Sequence, residues 1–176
     1  MIPFRETAGR ELMWRARGVF SRAFDLTDPS TDSSEPYATL AWRRGLFPPA
    51  DGETSEGRWE LRPRGFWRSR ILVTPAGSEA PVATFLPGWT GGVLKFEDGR
   101  RFRWRRVSWW RLQWVFESAD GTPLVRLRHR FAWLRAAATI VIEPAAAEAP
   151  EAPLLALLGW YLMLLARRRH AASHGS

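Results

Sequence analysis

The chain has 176 residues, a length that suits one domain, with 45% hydrophobic and 25% charged residues, within the range of ordinary globular proteins. It contains no cysteine, which excludes disulfides and thiolate chemistry. Its net charge of +8 excludes a broadly acidic surface and favours acidic partners: lipid headgroups, nucleic acid or an acidic protein. The cation is almost always arginine, since Lys95 is the single lysine, and asparagine is missing altogether. GC-rich codon usage produces that same bias, so part of the arginine excess carries no information about a partner. The first residues, Met1-Ile-Pro-Phe-Arg-Glu, contain no apolar run of the secretory kind. The expected location is therefore cytoplasmic, with peripheral contact to a membrane.

In chain order, residues 9–24 carry two patterns. Leu12, Trp14 and Ala16, followed by Phe20, Phe24 and Leu26, read as two strands broken at Gly18; Leu12, Ala16, Phe20 and Phe24 at spacing four also fit a basic amphipathic helix. Strands are the favoured reading. Residues 27–35 are polar and read as a mobile loop. Period-two runs follow over residues 37–42, 58–62, 68–74, 82–86 and 93–96. Stronger alternation comes next. Phe102 and Trp104 alternate with Arg101, Arg103 and Arg105; Trp110, Leu112, Trp114 and Phe116 alternate with Arg111, Gln113 and Glu117; Val125 and Leu127 alternate with Arg126 and Arg128. Residues 139–142 are apolar on both faces. Asp51-Gly52, Pro75-Ala-Gly77, Pro87-Gly88, Asp98-Gly99 and Asp120-Gly121 read as turns, because glycine accepts the positive φ a tight turn needs.

Residues 144–153 read as an Ala/Pro/Glu linker, and the chain then changes character. The run Pro153-Leu-Leu-Ala-Leu-Leu-Gly-Trp-Tyr-Leu-Met-Leu-Leu-Ala166 is apolar all round and ends in Arg167-Arg168-Arg169. A helix with no polar face must be buried on every side. Its uncharged length of about 22 Å, at about 1.5 Å per residue, is short against a hydrocarbon core of about 30 Å. A buried core helix over residues 150–169 is favoured over a tail anchor, with 171–176 a disordered tail. Such a helix cannot lie on an open sheet, so the expected fold is all-β: a closed antiparallel barrel of about 10–12 strands enclosing the C-terminal helix, in one domain spanning 1–170. Phe96, Phe102, Trp104, Trp110, Trp114 and Leu127 are expected to point inward, and Trp104, Trp114, Leu127, Leu158 and Leu162 to form the core.

This pattern resembles a known family. The hairpins with a glycine followed by a Val/Leu return (Gly77…Pro81-Val-Ala83 and Gly121-Thr-Pro-Leu-Val125), the strand Gly-Arg-Arg-Phe-Arg-Trp104 and the final Leu-Leu-Ala-Leu-Leu-Gly-Trp-Tyr-Leu helix are similar to those of the tubby C-terminal-like group, which includes the LURP-one-related proteins and the phospholipid scramblases. Over about Leu12 to Arg169 the chain looks most like the small bacterial members. The resemblance implies a twelve-stranded barrel around a hydrophobic helix. The acidic calcium-loop run of the scramblases is missing here, so lipid scrambling is not implied, and no tubby-type phosphoinositide pocket maps residue by residue.

No catalytic constellation is legible. His129 stands in an arginine-rich strand end, and His170 and His174 in the tail, without metal-ligand spacing. No serine has a nucleophile-elbow context, and Trp89-Thr-Gly-Gly92 lacks the strand–glycine–helix context of a phosphate loop and reads as a hairpin. The expectation is a non-enzymatic binding or scaffold module with no cofactor, no metal and no small-molecule substrate. The candidate binding residues are the outward arginines of two stripes, Arg101, Arg103 and Arg105, and Arg126, Arg128 and Arg130, supplemented by Arg43, Arg44, Arg68, Arg70, Arg106 and Arg111. Anionic phospholipid is the favoured partner. A solvated strand face is the plain alternative, and a nucleic-acid or acidic-protein binder the competing function. Most aromatic rings alternate away from the arginines, with Trp67, Trp89, Trp109 and Trp133 as exceptions, which argues against base stacking.

Overall fold

The computed structural model describes residues 1–18, 21–33, 35–44, 48–65, 70–108, 110, 112–130 and 137–173, apart from the side chains of 170, 172 and 173. Phe20, Trp67, Arg68, Trp109, Arg111, Trp133 and His174, singled out above, lie outside the described residues. Twelve strands occur in chain order. The first six are β1 (Glu11–Ala16), β2 (Ala23–Thr27), β3 (Ala38–Trp42), β4 (Ala50–Thr54), β5 (Gly57–Arg64) and β6 (Arg70–Pro75). The others are β7 (Ala83–Gly88), β8 (Gly91–Phe96), β9 (Arg101–Ser108), β10 (Gln113–Ser118), β11 (Pro123–Arg130) and β12 (Ala137–Ile142). Each pairs antiparallel with its chain neighbours, and β1 pairs with β12 (Leu12 opposite Ile140), which closes the barrel and leaves no free sheet edge.

The helix α1 (Ala152–Ser173) runs through this barrel, and its backbone continues three residues into the stretch expected to be a tail. Leu155, Ala156, Leu158, Trp160 and Tyr161 are completely buried, and every residue from Ala152 to Leu165 is buried apart from the half-buried Leu162. Burial of each leucine stabilises by roughly 1.5–3 kcal/mol as an upper estimate. Contacts come from all sides. Trp160 stacks on Trp14 with centroids 6.1 Å apart and meets the edge of Phe24. Gly159 passes so close to the opposite wall that a Cβ there would lie 2.8 Å from Leu127 Cδ1 and 3.3 Å from Trp104 Cζ3. Leu127 and Trp104 are buried, while Trp114, half-buried, stacks on Trp104 at 5.3 Å.

Four sequence expectations are corrected. Asp51-Gly52 is no turn: it lies within β4, with Gly52 opposite Leu40 and Trp59. Gly52 faces the helix, where a Cβ would stand 3.0 Å from Leu157 Cδ1, so the glycine marks a close approach and not a bend. Pro87-Gly88 belongs to β7, and the turn is the next pair, Trp89-Thr90. Residues 144–148 form a 3-10 helix (Pro144–Glu148) where a linker was expected. Trp110 points out to solvent at 97% exposure. Its alternation with Trp114 fails because β10 begins only at Gln113, after Leu112 with φ 45°, and a register shift separates Gln113 from Trp114.

Candidate functional site

Strand direction gives the barrel two unlike ends. The closed end holds the start of α1, the 3-10 helices Phe4–Thr7 and Pro144–Glu148, and the connections from even to odd strands. Phe4 is buried there, and its backbone N–H donates to Glu56 Oε1 at 2.6 Å. Glu151, buried at the helix start, is met by the Arg100 guanidinium, which also binds Asp98 and lies over the Phe96 ring at 4.8 Å. Buried Asp28 accepts from Ser30 N at 2.8 Å and from Ser30 Oγ, folding the start of the 27–35 loop. These bonds, with Arg10, hold the Asp28 carboxyl below the usual range. The even-to-odd connections carry Asp28, Asp32, Glu35, Glu56, Glu79, Glu97, Asp98 and Asp120.

The exit end is the opposite in charge. The connections β1–β2 (17–22), β3–β4 (43–49), β5–β6 (65–69), β7–β8 (89–90), β9–β10 (109–112) and β11–β12 (131–136) contain no Asp or Glu in sequence. Exposed Arg22, Arg44, Arg128, Arg130, Arg167, Arg168 and Arg169 stand there. The helix is fixed in the opening by Tyr161, whose hydroxyl donates to the Pro48 carbonyl at 3.2 Å and whose ring lies 5.0 Å from Trp42; Arg168 covers Trp42 from outside at 4.6 Å. Trp89 and Trp110 project from this end, fully exposed. His129 lies on the inner face of β11, where burial and then the Arg167 charge push its imidazole below the ordinary value. A cleft of about 180 Å³ runs between the last turns of α1 and β5–β9, with Arg169 at its lip, and one of about 230 Å³ lies under Arg22, Arg167 and Arg168. Among the described residues no group of three or more His, Cys, Asp or Glu side chains gathers as metal ligands would.

The expected stripes are present but not free. Arg101, Arg103 and Arg105 all face out from β9, and Arg126, Arg128 and Arg130 from β11. Between them β10 presents Val115 and Glu117. The register sets Glu117 opposite Arg103, and Val115 opposite both Arg105 and Arg126. Glu117, 3% exposed, accepts from Arg105 Nε at 2.7 Å and from Arg103 Nη2 at 3.1 Å, and these two guanidinium groups hold its carboxyl below the usual glutamate range. Arg126 is bound to Glu143. Arg43 is likewise committed, to Asp51 at 2.7 Å and Glu60 at 3.1 Å. Arg106 does not join the outer surface: it falls on the inward phase of β9 and lies 5.7 Å over the Trp114 ring. Two carboxylates thus offset part of the charge of the six stripe arginines, and three of the six are ion-paired. Arg128 and Arg130 extend toward the exit end, while Arg101 sits at the opposite end of β9, across from Lys95.

Sequence reasoning missed the segregation of charge between the ends. The signal was available: alternate connections in an antiparallel barrel share an end, and every second connection lacks carboxylates. Comparison with protein families, with characterised proteins and with solved structures found no match. No helix among the described residues is long and apolar enough to cross a membrane.

Proposed function

We propose that this chain is a non-enzymatic binding module of the cytoplasm that adsorbs peripherally to anionic membrane lipid, and that it is a tubby-like barrel, a kinship supported by its twelve strands closed around a C-terminal helix. The observation that carries the lipid reading is the charge asymmetry of the barrel ends: Arg22, Arg44, Arg128, Arg130 and Arg167–Arg169 ring the helix exit, and the carboxylates of the connections lie at the other end. An end with this excess of positive charge orients the molecule in the field of an acidic leaflet. Each arginine near such a surface contributes about 1 kcal/mol, so a few acting together bind measurably without a pocket. The wall stripes contribute less per arginine, because Glu117 and Glu143 offset part of the charge of Arg103, Arg105 and Arg126.

Vesicle co-sedimentation tests the reading. Vesicles with phosphatidylglycerol in phosphatidylcholine should bind the protein at low salt and release it as salt rises, since the Debye length is only about 8 Å at physiological ionic strength. Pure phosphatidylcholine vesicles should not bind it. Equal binding to both, or to neither at low salt, sinks the proposal. Single-stranded DNA that displaces the protein from vesicles at equal charge concentration would transfer the arginine end to nucleic acid.

A further inference from the structure

Trp89 and Trp110 are unexplained by folding: at 103% and 97% exposure they bury nothing within the chain. With Val107 they make up three of the five large apolar side chains exposed among the described residues, and all three belong to the exit end. Trp89 occupies a two-residue hairpin whose base is fixed by close backbone approach. A Cβ at Gly91 would lie 2.0 Å from the Trp104 carbonyl oxygen, and one at Gly92 2.3 Å from Phe85 Cζ. The tip therefore projects from a rigid stem. Trp110 is carried by the next connection at the same end, beyond β9, which pairs with β8. Two indoles on the rim whose connections carry arginines and no Asp or Glu match what a membrane–water interface accepts: amphipathic rings at headgroup depth, cations toward phosphate.

Resting on the lipid reading above, we infer that the barrel docks end-on, with Trp89 and Trp110 inserted at headgroup depth of an anionic bilayer and the closed, acidic end facing the cytoplasm. The sign of charge excludes the closed end, and the exposed indoles select the exit end over the wall. A side-on approach would instead bring Glu117 and Glu143 toward the bilayer with the wall arginines.

The chain has no cysteine, so single labels report orientation cleanly. Thr90→Cys and Ser78→Cys would carry an environment-sensitive fluorophore at the exit tip and at the β6–β7 connection of the closed end. On phosphatidylglycerol-containing vesicles the Thr90 label should shift to the blue and the Ser78 label should not. The double variant Trp89→Ala/Trp110→Ala should lose at least about tenfold in vesicle affinity, the equivalent of about 1.4 kcal/mol, with its Tm unchanged. Undiminished vesicle binding with no Thr90 shift, or with shifts at both labels, overturns end-on docking while leaving the lipid reading standing. Absence of vesicle binding in the unaltered protein overturns both. If the double variant keeps its vesicle affinity but loses binding to single-stranded DNA or self-association on gel filtration, the rings serve those contacts and the inference is wrong.

Discussion

The two ends of the barrel are built from the same alternation of strand and turn, yet among the described residues the exit end alone leaves large aromatic rings in water. At the closed end Phe4 is tucked under the 3-10 helix Pro144–Glu148 and the start of α1, and Arg100 is spent on Glu151 and Asp98. At the exit end Trp89 and Trp110 stand in water and the arginines have few carboxylates within reach. The first arrangement lowers the free energy of the fold. The second does not, and exposed large apolar groups on a stable fold mark interaction sites. The exit end also holds the buried Trp42 and Tyr161, so what sets Trp89 and Trp110 apart is that they stand on connections and not on the inner face of the barrel.

Substitutions can break this comparison. The largest effect is expected where the ends meet, in the helix. Leu158, completely buried, cannot accept a charge, so Leu158→Arg should abolish the cooperative thermal transition and cause aggregation, as should a chain stopped at Glu151. A truncated chain that melts as before would show that the barrel does not need its helix. Next comes the contrast itself. Phe4→Ala should cost about 3–5 kcal/mol in denaturant unfolding, whereas Trp110→Ala should stay within about 0.5 kcal/mol of the parent. Similar losses for both would mean that the exit-end ring is structural. A smaller loss than that of Phe4→Ala is expected on the wall. Glu117→Gln should cost about 1–2 kcal/mol, since the arginines it releases remain half in water. The Glu117 carboxyl is held below its usual value, so its contribution is fully present above about pH 4.3, the ordinary glutamate value, and is lost as pH falls through the folded one. The Glu117→Gln protein should therefore show a flatter fall of Tm with pH on the acid side, and an unchanged slope would remove Glu117 from the acid response. The same variant frees Arg103 and Arg105, so a rise in affinity for acidic vesicles would sharpen the view that Glu117 offsets part of the wall charge in the parent.

Much of this molecule is legible in its sequence. Alternation of Phe102 and Trp104 with three arginines determines an inward and an outward face for β9, because side chains in a strand point to opposite sides in turn. The Leu-rich run after Pro153, apolar at every angle and too short to span a bilayer, determines an enclosed helix, and the enclosure demands a closed sheet. What alternation does not carry is register. The register beyond the shift between Gln113 and Trp114 sets Glu117 opposite Arg103 and within reach of Arg105, turning part of an expected binding stripe into ion pairs. Close approach is likewise a tertiary matter: Gly52, which has the signature of a turn, is a strand residue that makes room for Leu157. The interrupted strand at Leu112 sends Trp110 outward against its own periodicity. Local sequence fixed which residues alternate and which segment must be buried, because those follow from backbone geometry and the cost of wetting apolar surface. Which arginines meet a carboxylate, and which indoles are left in solvent, was decided by pairing across strands, where a slip of one residue changes every neighbour.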